Sequence, residues 1–304
     1  VDSKYVVASL EKGNKTKNIF ADNLYKDIID NSSNNSTVFN AVLQNLVDQK
    51  FPVNDDMKED AATIIKQIKS AYKSNYGDNY KDSLNQALTS AGYKNLSEYR
   101  QRMIKQIQYA NFLLDYIDDH FDDVFNDYYQ QCAPKYVSLI KISVSDTSSP
   151  TDNETSKLNE VKELISNTDK SFGDIAQDYS DDSTSSKKGS LGIVDSKDTS
   201  GIANSYGKDV FNAIEALSEG QVSDVITGDN GYYFVKVTST DKKTLKKELK
   251  KTDIDSPLLA YDDYLQYVVY NSYKINYKDK DIKKIVQEVV NKALEERKTE
   301  RGEA

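Results

Sequence analysis

Eight of the twelve glycines in this 304-residue chain fall between Gly173 and Gly231. Glycine adopts left-handed backbone without steric cost and weakens helix interiors. A glycine-rich stretch therefore reads as short strands, turns and brief helices, whereas its glycine-poor flanks can be helical throughout. The chain has a centre and two ends of different character, and its length sets two domains as the expectation.

Hydrophobic periodicity fills in the flanks. A strand-like piece over 5–10 is closed by Lys12-Gly13 and followed by a helix over 21–30. A second helix over 37–50 places Val38, Val42, Leu43, Leu46 and Val47 on one stripe, with Pro52 just past its end. Asn54 caps a third, in which Met57, Ala61, Ile64, Ile65, Ile68 and Tyr72 recur at helical spacing up to Gly77. Helices over 81–91 and 96–117 follow, and Pro134 ends the run. KYVSLIKISVSD, 135–146, then alternates like a half-buried strand, and a closing strand lies at 232–237. Helical spacing returns from Lys242, is interrupted by Pro257 and a strand-like KINYKD, and ends in a helix with Ile282, Ile285, Val286, Val289, Val290 and Ala293 on one face. That apolar face needs a partner, and the first flank supplies one. The expected fold is therefore α+β: a helical lobe built from both chain ends, 1–134 and 242–304, with an antiparallel-sheet domain flanked by helices inserted at 135–241.

Composition narrows the function classes. A net charge of -9 repels phosphate backbones, so no nucleic-acid partner is expected. No run approaches the roughly 18 apolar residues that span a bilayer, and VDSKYVVASL at the start lacks a charged-then-apolar signal pattern. One cysteine, Cys132, and one histidine, His120, leave no disulfide and no histidine-rich metal site, so neither a metal nor any other cofactor is expected. Asp115, Asp118, Asp119, Asp122, Asp123 and Asp127 recur at three- and four-residue steps. On one continuous helix they form a solvated acidic face opposite Ile117, Phe121, Val124, Phe125 and Tyr128, with His120 at the surface. A calcium loop would need a glycine turn and backbone carbonyls that such a helix does not offer.

The central segment carries SFGDIAQDYSDDSTSSKKGSLGIV and then FNAIEALSEGQVSDVITGDNGYYFVKV. With the register set by Tyr179-Ser180-Asp181-Asp182, Gly189-Ser190-Leu191-Gly192, Leu217-Ser218-Glu219-Gly220 and Gly231-Tyr232-Tyr233, residues 135–241 resemble the parvulin family of peptidyl-prolyl cis-trans isomerases. The resemblance implies action on X-Pro bonds of other polypeptides. It puts Asp182 where the family places an active-site Asp or Cys, and Leu191, Tyr206 and Val210 on the wall that cradles the proline ring, with Phe211 substituting if the helix is one residue out. The family's two histidines are absent: Leu139, or Ser138 one register away, stands for the first and Tyr233 for the second, while Asn230 takes the place of the second one's polar neighbour. Lys188 replaces the first glycine of a frequent Gly-Gly pair, Ser190 an acidic residue and Ile193 an aromatic. Asp182 and Tyr233 are thus the candidate catalytic pair and Leu139, Leu191, Tyr206, Val210, Phe211 and Asn230 the candidate substrate-binding set, with the isomerase activity weak or lost. Asp182 as a plain loop cap is the alternative.

The helical flanks, through TVFNAVLQNLVDQKFPVNDDMKEDA, GDNYKDSLNQALTSAGYKNLSEYRQRMIKQIQYANFL and YKINYKDKDIKKIV, resemble the extracytoplasmic foldase lipoproteins of PrsA type, which carry one inserted parvulin domain. That resemblance implies a foldase on the outer face of the cell membrane whose partners are unfolded or partly folded secreted polypeptides, X-Pro segments included. It also implies a lipid anchor, and Cys132 sits in the wrong place for its attachment. A non-catalytic holdase and a surface interaction protein are the alternatives, and a dimer is one option for the oligomeric state. Tyr72, Tyr76, Tyr80, Tyr93, Tyr99, Tyr109 and Tyr116 are either client-contacting rings, since tyrosine tolerates water at one end, or half-buried packing residues.

Overall fold

The computed structural model describes residues 4–12, 15–249 and 254–303. Two compact units emerge: Val1–Tyr116 with Asp263–Ala304, and Ile117–Asp262.

The first unit opens on an antiparallel hairpin, β1 (Val6–Lys12) and β2 (Lys15–Phe20), with Val6 opposite Phe20. The strand-like start therefore has a partner that periodicity had not marked, while the Gly13 expected to close it lies outside the described residues. Four helices follow it closely: α1 (Ala21–Asp30), α2 (Asn35–Lys50), α3 (Asp55–Tyr76) and α4 (Tyr80–Ser90). The Asn54 side chain accepts the Met57 N–H at 2.9 Å, and Gly77 at φ 54° turns the chain out of α3. Next comes α5 (Leu96–Asp119), whose Ile104 and Ile107 bury against Met57 and Ala61 of α3.

Helix α6 (Phe121–Cys132) belongs to the second unit. The expected single acidic helix is in fact two: the chain breaks at an exposed His120 with φ -120°. Ile117, Val124, Phe125 and Tyr128 are buried, as the pattern required. The acidic positions make local pairs, Asp122 to Lys246 at 2.8 Å and Asp127 accepting from the Tyr261 hydroxyl at 2.8 Å. Among the described residues no group of three or more His, Cys, Asp or Glu is arranged to hold a metal ion.

The sheet domain continues with β3 (Lys135–Ser143), α7 (Asp152–Asn167), α8 (Phe172–Tyr179), β4 (Ser190–Val194), α9 (Ile202–Tyr206), α10 (Lys208–Ala216), β5 (Ile226–Gly228), β6 (Gly231–Ser239) and α11 (Lys242–Leu249). Its strands run antiparallel in the order β4-β3-β6-β5, with Leu139 opposite Val235 and Lys141 opposite Tyr233. Alternation divides them between two cores. Val137, Leu139, Tyr233 and Val235 face Ile202, Val210 and Ile214 of α9 and α10. On the other side Ile140, Ile142 and Phe234 face Leu158 and Val161 of α7 and Phe172 and Ile175 of α8. The boundaries expected at 134/135 and 241/242 fall inside the second unit, because α6 and the stretch up to Asp262 are held in it. The buried Asp195 carboxylate, for instance, accepts the Tyr128 hydroxyl of α6 at 2.8 Å, the Lys197 N–H at 3.0 Å and the Thr199 hydroxyl.

The chain returns to the first unit in α12 (Leu265–Ser272) and α13 (Lys280–Glu300). Ile285, Val286, Val290 and Ala293 of α13 are buried, and the helix packs on α2 and α12. KINYKD, expected as a strand, forms none. The residue just before it, Tyr273, stacks on Phe112 with centroids 5.7 Å apart, and its one ring, Tyr277, pairs its hydroxyl with that of Tyr270 in α12, so side chains rather than a strand partner hold the segment. Among the described residues no helix is long and apolar enough to cross a membrane.

Candidate functional site

A hollow of about 400 Å³ opens between the α9–α10 corner and the β5–β6 turn. Each wall is set by local chemistry. The Asp198 carboxylate caps α9, accepting the N–H of Ile202 at 2.6 Å and of Ala203 at 3.0 Å, and so fixes the short helix whose last residue is Tyr206. Gly207, at φ 100°, then lets α10 start without a gap. At the far end of α10 the Lys135 ammonium gathers the carbonyls of Ile214, Glu215 and Leu217 at 2.7–3.0 Å, complementing the negative end of the helix that carries Val210. On the opposite side Gly228 and Gly231 pair across the Asp229-Asn230 turn. A Cβ at Gly228 would lie 2.7 Å from Tyr233 Cε2, so glycine there leaves the ring its place.

Asp182 reaches the site through the edge of β3. Ser180 Oγ accepts the Lys141 N–H at 3.0 Å, Asp181 N donates to the Lys141 carbonyl at 2.8 Å, and the Asp181 carboxylate accepts the Ser143 N–H at 2.9 Å. The loop is thereby sewn to the strand, and half-buried Asp182 follows. Its carboxylate accepts the Thr184 N–H at 2.9 Å, the Thr184 hydroxyl at 2.6 Å and, at 3.4 Å, the Tyr206 hydroxyl. It is both a loop cap and a partner of the hollow's wall. Beyond it, Lys188 sits in the left-handed region at φ 57°, which explains why glycine suits that position, and Gly189 is needed because a Cβ would come within 2.4 Å of the Leu139 carbonyl.

Two tyrosine rings meet edge to face at the floor, Tyr206 and Tyr233, with centroids 6.2 Å apart. Tyr233 is buried and donates its hydroxyl proton to Asn230 Oδ1 at 2.7 Å, while the Lys141 ammonium lies 5.7 Å from its ring centre. Burial, aided by the nearby Asp182 carboxylate, pushes the Tyr206 hydroxyl up to about 12. Burial and then Asp182 and Asp229 raise that of Tyr233. Both hydroxyls therefore stay protonated at neutral pH, and the hollow combines two neutral hydroxyls with the carboxylate and the amide that they donate to.

Of the eight residues singled out from the sequence, Tyr206, Val210, Asn230 and Tyr233 line this hollow. Asp182 touches it through the Tyr206 hydroxyl. Leu139 is wholly buried in the core behind it, and Phe211 packs against that core from its edge. Leu191 packs there too, but faces a separate hollow of about 330 Å³ shared with Tyr136 and Pro257. Sequence reasoning had passed over Asp229, Lys208 and Asp209, which also line the site. Gly-Asp-Asn-Gly is a recognisable two-residue hairpin turn, and it would have pointed to Asp229.

Residues 139–239 match the family model described as Rotamase, PPIC-type PPIASE domain. The chain is 31% identical over 159 residues to Foldase protein PrsA of Staphylococcus aureus (strain bovine RF122 / ET3-1), an overlap of 50% of this chain and 47% of the relative. It is 35% identical over 136 residues to Foldase protein PrsA of Staphylococcus epidermidis (strain ATCC 35984), covering 42% and 39%. The chain thus spans less than half the length of these curated relatives. Among solved structures, the crystal structure of PrsA from Bacillus subtilis covers 93% of this chain and 98% of its own, at 22% identity and a TM-score of 0.41. The match to the PPIC-type rotamase model falls on the sheet domain of this chain.

Proposed function

We propose that the hollow grips an X-Pro segment and lowers its rotation barrier, as part of an extracytoplasmic foldase that holds secreted polypeptides while they fold. The carrying observation is the convergence of Tyr206, Val210, Asn230 and Tyr233 on one cavity, with Asp182 tied to it, inside a segment matching the rotamase model. Rotation about an X-Pro bond is slow because the planar amide is partly double-bonded, a barrier of about 18–20 kcal/mol. Resonance also gives the planar form a larger dipole than the twisted one. An apolar wall such as Val210 and the two rings therefore disfavours the planar state as water leaves, and only interactions stronger in the twisted state add to the rate. The single proton of each hydroxyl goes to Asp182 from Tyr206 and to Asn230 from Tyr233, so donation to a substrate carbonyl requires exchange of that bond, most readily for the long 3.4 Å one of Tyr206, while both oxygens can accept a substrate N–H directly.

Similarity to proteins named foldase PrsA supports client polypeptides as partners and a location outside the cytoplasm; the lipid tether and the pairing of copies belong to the proposal as what the sequence resemblance implies. The division into a helical lobe and an inserted isomerase domain follows the same reading. The test is a proline-limited refolding assay on the full chain, with Asp182→Ala expected to lower the rate about tenfold, a loss near 1.4 kcal/mol of transition-state stabilisation, while suppression of client aggregation is unchanged. An unchanged rate would make Asp182 a loop cap alone.

One observation favours a second reading, a binding platform without catalysis: Leu139, in the place of one family histidine, is an apolar core residue with no access to the hollow. Wild-type refolding kinetics that stay flat at large excess of protein would select it.

A further inference from the structure

In the helical unit a groove of about 550 Å³ lies between α3, α4 and the start of α5. Its floor is apolar, made by Ala62, Ile65, Leu96 and the Tyr80 ring. Its rim is cationic, made by Lys66, Lys69, Lys73 and Arg100, all exposed. The three lysines fall at helical steps of three and four, so one stripe of α3 carries them all. In a chain of net charge -9 such a cluster runs against the overall balance. Neighbouring lysines have found carboxylates, Lys58 with Asp55 at 2.8 Å and Lys105 with Asp48 at 2.6 Å. Among the described residues no ion pair engages any of the four rim cations.

We propose that this groove docks acidic amphipathic segments of client polypeptides, with apolar side chains on the floor and flanking Asp or Glu on the rim. The proposal rests on reading the helical unit as the client-holding lobe, and it names the chemistry of client that the lobe prefers. Lysine stems extend the apolar surface while their ammonium heads stay in water, so floor and rim recognise one amphipathic partner together. The volume lies within the roughly 300–1,000 Å³ of clefts that take a few side chains. Helix-in-groove recognition uses anchors at i, i+3 and i+4, which suits a groove between helices. A bounded hollow with a floor below its charges favours a peptide over a lipid surface, for which a flat basic face would serve.

The experiment follows fluorescence anisotropy of a labelled synthetic peptide bearing leucines at helical spacing and glutamates elsewhere, against a twin with every glutamate replaced by lysine, both with the full chain. The acidic peptide is expected to bind at least about tenfold more tightly, since several exposed ion pairs of a few tenths of a kcal/mol each add to that ratio. Raising salt from about 0.05 M to about 0.5 M should weaken it severalfold through screening. The triple replacement Lys66→Gln, Lys69→Gln, Lys73→Gln should do the same at low salt. Equal binding of the twins, or binding indifferent to salt, overturns the proposal without any variant being needed. Capture by phosphatidylglycerol vesicles with no peptide binding also overturns it, in favour of a lipid surface. Aggregation suppression of an unfolded client separates the layers: suppression without acidic preference sinks this proposal and leaves the client-holding reading standing. Acidic-peptide binding without suppression supports the groove and sinks that reading.

Discussion

The two units hold their hollows in opposite ways. Around the hollow of the sheet domain side chains pin the elements that frame it: Asp198 holds the start of α9, Lys135 the end of α10, Ser180 and Asp181 the edge of β3, and Tyr233 is bonded to Asn230. Around the helical groove the charges stand free of ion pairs among the described residues, on side chains with long flexible stems. Changing the barrier of a reaction requires groups fixed before the substrate arrives. Holding many sequences loosely requires groups that can follow each one. One chain thus carries a cavity whose frame is pinned by short hydrogen bonds and a groove rimmed by long stems, where Arg100 reaches the Lys58 carbonyl at 3.5 Å and the three lysines carry no ion pair among the described residues.

The largest blow to this contrast should come from removing the chain after Lys280. The four buried side chains of α13 contribute on the order of 6 kcal/mol, and α2 would lose its cover. Calorimetry should show the helical unit melting early with the rotamase transition in place; the reverse order would break the assignment of α13. Next in size, Asp195→Ala should strand the buried Tyr128 hydroxyl and two backbone N–H groups. A loss of about 3 kcal/mol is expected, read by urea unfolding and confined to the second unit.

Smaller effects sharpen the catalytic half. Tyr233→His restores a titrating ring, and the refolding rate should rise a few-fold with a new pH dependence near 6.5. Adding Leu139→His should cancel the gain, because Leu139 is fully buried and an imidazole there has no room to reach the hollow. A rate unaffected by Tyr233→His would mean that the missing ring is not what limits the site. The smallest effect is on pH. With no histidine lining the hollow and both hydroxyls raised, wild-type activity should be level from about pH 6 to 9. Tyr206 is raised in the folded state, so its contribution to stability is complete below the ordinary tyrosine value of 10.0 and is lost as pH climbs through about 12. Comparing alkaline unfolding of wild type and Tyr206→Phe reads that window.

Much of this was legible before any coordinates. The stripe from Ile285 to Ala293, the Asn54 cap and the Gly77 stop are local signals, each written within a few residues, and the helices end where those signals stand. The alternation of 135–143 and 231–239 likewise reports two buried faces. The failures share a cause. KINYKD has strand spacing but no strand to pair with, and β2 has a partner but little spacing of its own. The acidic series looked continuous because the break at His120 carries no Pro or Gly to announce it.

Sequence by itself determined most of the helices and the two long strands, and which residues of the centre are apolar, hydroxylic or acidic, since those depend on composition and short-range period. Only the tertiary structure decided that Tyr206 bridges Asp182 and Tyr233, that Leu139 lies behind the hollow and Leu191 beside another, and that four cations ring an apolar floor. Such contacts join residues far apart in the chain, and no local period encodes which distant surface a side chain will meet.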